Sequence, residues 1–115
     1  MIANRLFSPV VLAALCGCAS APIVLDKLPQ TEAPMRAAEE LGAARVPQAA
    51  LELKLAQDEV QQAKGFAKEG NQQRADLMML RAQADAELAV ALAREAPLQV
   101  EARNATEAVK LMQQK

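Results

Sequence analysis

Residues 75–96 read ADLMMLRAQADAELAVALAREA. Within them Ala75, Met79, Ala82, Ala86, Ala89, Ala93 and Ala96 recur alternately four and three apart. That is the heptad seam of a helix packed lengthwise on another helix. Leu77, Leu80, Ala84, Leu88 and Leu92 form a second, bulkier stripe beside it. Alanine favours helix over sheet, and β-branched residues are sparse throughout the chain.

The partner seam lies just upstream. Ala49, Leu53, Ala56, Val60, Ala63 and Ala67 show the same alternation over a helix expected at 47–68. Pro47 suits the first turn of that helix and disfavours helical geometry at Val46. Glu69-Gly70-Asn71 separates the two seams. Gly70 can take the left-handed conformation that closes a helix, and Asn71 can cap the next, expected at 72–95. Two alanine seams joined by a short turn predict an all-α fold. Its centre is an antiparallel, coiled-coil-like helical hairpin with closely approaching backbones. Small side chains bury little area each, so the leucine stripe and a further helix are expected to complete the core.

Two flanking segments follow from proline placement. A shorter N-terminal helix is expected over 32–44, capped by Thr31, with Met35, Ala38 and Leu41 on one face. Pro97 either kinks the third helix or ends it, with a C-terminal extension over 97–113. Residues 18–31 read as a flexible tether, since Pro22 and Pro29 oppose regular structure. The helical domain then spans 32–115.

The start of the chain carries a secretory signal over 1–17. Asn4-Arg5 is its positive part and Leu6 to Leu15 its apolar part, far short of the ~20 residues of a spanning helix. Leu15-Cys16-Gly17-Cys18 follows. This resembles a lipoprotein-processing site, which implies cleavage between Gly17 and Cys18 and lipidation of the Cys18 sulfur. One acyl chain binds a membrane marginally, whereas two or three anchor it. On the sorting pattern that this resemblance implies, Ala19 after the cysteine, where an Asp would signal retention, favours the periplasmic face of an outer membrane.

Composition excludes several activities. The chain has 115 residues, a formal charge of −1, no histidine, tryptophan or tyrosine, and two phenylalanines. No basic stripe and no aromatic set suits nucleic acid. Cys16 leaves with the signal and Cys18 is blocked by lipid, so no thiolate remains for metal or catalysis. Ser20 is the only serine after the signal, and it lies in the tether. No phosphate loop, metal spacing, cofactor or small-molecule site is evident. The carboxylate sets Glu39-Glu40, Asp58-Glu59 and Asp85 with Glu87 have members one or two residues apart. They do not share a helix face and read as solvated charge. Met78-Met79 reads either as hairpin core or as an adaptable binding surface.

Val46-Pro47-Gln48-Ala49-Ala50-Leu51, Lys54-Leu55-Ala56, Gly70-Asn71, Arg74-Ala75 and Ala82-Gln83-Ala84-Asp85-Ala86-Glu87-Leu88-Ala89 together resemble an alanine-rich bacterial lipoprotein family, domain of unknown function 4398. The resemblance covers Glu32 to Arg94. It implies a lipid-anchored helical hairpin in the cell envelope and no reaction. Members usually carry an aromatic soon after the turn glycine, where this chain has Gln72-Gln73.

The expected activity is a non-enzymatic binding or scaffold module. Acylated Cys18 contacts the bilayer, and whatever part of the Leu77, Leu80, Leu88 and Leu92 stripe the core leaves exposed faces an envelope protein. The alternative is a structural, self-associating lipoprotein linked to peptidoglycan through the terminal Lys115, as Braun-type proteins are. A terminal lysine also simply complements a helix dipole.

Overall fold

The computed structural model describes residues 23–114, with side chains from Asp26 onward. The signal, Gly17, Cys18 and Lys115 lie outside the described residues. Three helices follow one another: α1 (Ile23–Glu40), α2 (Pro47–Lys68) and α3 (Gln72–Gln113), with a 3-10 turn at Ala43–Arg45.

The α2–α3 hairpin is built as its residues dictate. Val46 is extended at φ −112° and ψ 107°, and Pro47 opens α2. At the other end Gly70 takes φ +78°. The Asn71 N–H donates to the Phe66 carbonyl at 2.8 Å, and the Gly70 N–H to the Ala67 carbonyl at 3.1 Å. This is a glycine-closed helix end that satisfies two otherwise free carbonyls. Asn71 then caps α3, its Oδ1 accepting from the Arg74 N–H at 3.3 Å. The aromatic at this turn comes from before the glycine: the Arg74 guanidinium lies 5.7 Å from the centroid of the Phe66 ring, a cation–π contact.

The two seams meet in two clusters. At the turn end Val60 and Ala63 pack with Ala75, Met79 and Ala82. At the far end Ala49 and Leu53 pack with Ala89 and Ala93. Met79 is the largest fully buried apolar side chain. Alanines bury little area, but they let the backbones approach closely enough to exclude water along the whole seam.

The first helix differs from the expectation in two ways. It begins at Ile23, not near residue 32, so the segment read as tether is helical from Ile23 onward. Pro29 and Pro34 both lie inside it. Thr31 is not its cap. It is fully buried, and its hydroxyl donates to the Lys27 carbonyl at 3.2 Å. Tertiary packing overrides propensity here. Leu28 and Met35 join the turn-end cluster, while Ala38 joins the far one. The Lys27 ammonium pairs with the Asp76 carboxylate at the start of α3. α1 therefore runs parallel to α3 and antiparallel to α2, and it fills the groove that the alanine hairpin leaves.

The third helix also departs from the segmentation. It continues through Pro97 to Gln113 as one helix of 42 residues. Pro97 removes one i to i−4 hydrogen bond at a cost of about 3 kcal/mol, which the long alanine-rich helix absorbs. From Pro97 to Gln114 every residue is exposed. This tail projects past the bundle for about 25 Å at 1.5 Å per residue.

Candidate functional site

α3 carries two apolar faces. At 100° per residue, the buried seam from Ala75 to Ala93 marks one side, and Leu77, Leu80, Ala84, Leu88 and Ala91 centre about 180° away from it. These five are all exposed. Leu77 is 54% accessible, Leu80 49% and Leu88 45%. The leucine stripe therefore does not complete the core, as the composition suggested it would. Val60, Leu53, Met79 and the α1 side chains fill that space instead. Leu92 separates from the stripe. It is half-buried on the flank of α3, against the Ala89–Ala93 cluster. Met79 is core, and its neighbour Met78 is half-buried beside the same cluster.

A second apolar feature marks the place where α3 leaves the bundle. An open pocket of about 290 Å³ lies between Leu41, Gly42 and Val46 of the α1–α2 turn and Ala93, Ala96, Pro97 and Val100 of α3. Gly42, at φ +78°, makes the tight reversal that forms its floor. The pocket's one charged lining group is Arg45. It is a shallow continuation of the seam, ending where the facing helices end.

The charged groups hold one surprise. Glu59 is only 5% accessible, against the expectation of a solvated face for Asp58-Glu59. Arg81 Nη2 lies 3.1 Å from Glu59 Oε1, while Oε2 is enclosed without a hydrogen-bond partner. Burial pushes the Glu59 carboxyl above its ordinary value. The charge of nearby Asp85 pushes the same way, and Arg81 opposes it. Spacing along one helix could not reveal this, because Arg81 and Asp85 reach Glu59 from the facing helix. The available signal was position: Glu59 adjoins the seam residue Val60, and small Ala56 and Ala63 bring α3 close enough to cover it. Lys27 and Asp76 are likewise a cross-helix pair 49 residues apart, which local spacing does not disclose.

Among the described residues no group of three His, Cys, Asp or Glu side chains is placed to hold a metal ion. No described helix is long and apolar enough to cross a membrane. What the arrangement offers is a rigid helical face with leucines in a row, and a helical tail that extends it.

No curated protein and no solved structure matches the chain. A family model, described as a domain of unknown function (DUF4398), matches residues 26–105. The match takes in α1 from Asp26 onward and the first part of the tail, so it reaches past both ends of the Glu32 to Arg94 segment that carries the sequence resemblance. With the model covering most of its length, the chain belongs to the DUF4398 family.

Proposed function

We propose that this protein is a non-enzymatic helical binding and scaffold module, held by acylated Cys18 at the periplasmic face of the outer membrane. Its partner surface is the outer face of α3. The observation that carries the reading is the row of exposed leucines, Leu77, Leu80 and Leu88, on the side of α3 opposite the core. The bundle leaves them uncovered although they are among the largest apolar side chains on the helix. Contiguous apolar exposure of this kind marks interaction surfaces. Lipid anchoring supports the same role, since confinement to one surface raises the effective concentration of a partner without new contacts.

The test uses the full-length chain in cells, with a photoreactive side chain at position 80 or 88 and a control at the polar position Lys54. Discrete adducts from 80 and 88 but not from 54 are the expected result. Equal, diffuse labelling from all three positions would remove the outer face from consideration. Palmitate labelling that disappears in Cys18→Ser tests the anchor separately.

A further inference from the structure

The outer stripe does not stop where the bundle stops. Past Pro97 it continues as Leu98, Ala102, Ala105, Val109 and Met112, again four and three apart and all exposed. These fall on the same side of α3 as Leu77, Leu80, Ala84, Leu88 and Ala91. The combined seam runs from Leu77 to Met112, about 53 Å at 1.5 Å per residue. Seams sustained over more than three or four heptads indicate a coiled coil. Among the described residues nothing covers either half. An isolated helix as short as the tail is marginal in water, so its apolar face calls for a partner helix.

We infer that the partner is a second copy of this chain, bound α3 to α3 in antiparallel, two-fold fashion through this outer seam. The inference rests on the reading of the outer face as a docking surface and names its occupant. Two features point to self-pairing. The first is length: Leu77 to Ala91 and Leu98 to Met112 are stripes of equal span, so each tail covers the other copy's bundle stripe end to end. In that register Leu98, Ala105, Val109 and Met112 meet the partner's Ala91, Ala84, Leu80 and Leu77. Large side chains face small ones at the first of these layers, and two alanines face each other at the second. The second feature is charge. Between the two stripes the seam is interrupted by Glu95, with Arg94 beside it, and both are exposed. In the same register these two positions straddle the two-fold axis, so Arg94 of each copy meets the partner's Glu95. A residue that would spoil an apolar seam is thereby neutralised, and the register is set. Each copy's α1 and α2 lie on the opposite side of its α3, so the two bundles flank the helix pair without overlap.

The test places a photoreactive side chain at position 105 of the full-length, membrane-held chain. The expected product has twice the chain mass, with the linkage mapped to residues 80–88. Within one copy, positions 105 and 84 are about 32 Å apart on a continuous helix, so this linkage reports a second copy. An adduct at position 105 itself would overturn the antiparallel arrangement. A single adduct with a different protein would overturn the second copy while leaving the docking face in place. No adduct from 105, 80 or 88 would overturn both readings.

The charge pair gives an independent check. Arg94→Glu or Glu95→Arg alone is expected to lower dimer yield about tenfold, as two ion pairs become like-charge contacts. Mixing the two variants is expected to restore it as a heterodimer. Both sites are exposed, so neither change threatens the fold. Undiminished dimer in the single variants would refute the register.

Discussion

Residues 72–96 and residues 97–113 belong to one helix, the first richer in alanine than the second, and they live under different physics. The first segment has α1 and α2 along one side, and its seam from Ala75 to Ala93 is buried. The second faces the α1–α2 turn only at Pro97 and Val100, across an open pocket, and Leu111 and Met112 stand in solvent. On the tail the side that would continue the core seam carries Val100, Asn104, Glu107 and Leu111, a broken stripe with two polar side chains at its centre. The lesson concerns what makes a helix stable. The tail has the lower propensity, with Asn104, Thr106 and Val109 in it, but most helical stability in proteins comes from packing an apolar face. Only the first segment has its seam packed.

The comparison is broken most sharply by truncating an apolar side chain in each region. Met79→Ala opens a cavity between Val60 and Ala82 and is expected to cost about 2–4 kcal/mol in denaturant unfolding. Leu111→Ala, in dilute protein, is expected to change stability by less than about 0.5 kcal/mol. Equal effects would mean that the tail folds with the bundle.

Hydrogen exchange sharpens the same contrast along the backbone. Amides from Met79 to Leu92 are expected to exchange only with global unfolding, whereas those beyond Gln99 open locally with a free energy near zero in the monomer. Pro97 marks the border, because its missing N–H leaves the Ala93 carbonyl without its helical partner. If the tail amides become protected as protein concentration rises, a second chain is covering them.

A smaller effect tests the electrostatics inside the packed region. Glu59 has its carboxyl pKa raised on folding above the ordinary value of 4.5. The native state therefore still holds this proton at a pH where the unfolded chain has released it. Its contribution to stability is fully present below the unfolded value and is lost as pH rises through the raised folded value. Melting temperature is thus expected to fall from this group as pH rises above 4.5 and through the raised folded value. Glu59→Gln should flatten that slope, since the amide has no carboxyl proton to release. A steeper slope in the variant would assign the pH dependence elsewhere.

The smallest expected effect is at the start of α1. Lys27→Met removes the partner of Asp76, and both groups are part-exposed. A loss of roughly 0.5 kcal/mol is expected, screened away by salt. A loss of several kcal/mol would show that this pair, more than Leu28, Thr31 and Met35, holds α1 in its groove.

How much was legible follows from which forces act locally. The seam residues of α2 and α3, the Pro47 start, the Gly70 closure and the Asn71 cap were all readable. Each depends on spacing or on a backbone preference within a few residues. The sequence by itself thus determined an all-α chain with an alanine-seamed hairpin at its centre. It also left a leucine stripe at 77–88 that could face inward or outward. Three matters were decided only by tertiary structure. α1 is helical from Ile23 through two prolines because α2 and α3 offer it a groove, and a groove between other helices leaves no periodic trace in the segment that fills it. Glu59 is buried because Arg81 and Asp85 arrive from the facing helix. The leucine stripe faces outward, and Leu92 drops to its flank, because α1 fills the groove that the small seam leaves. Periodicity shows that a helix has two apolar sides; only the presence of neighbours decides which of them becomes the core.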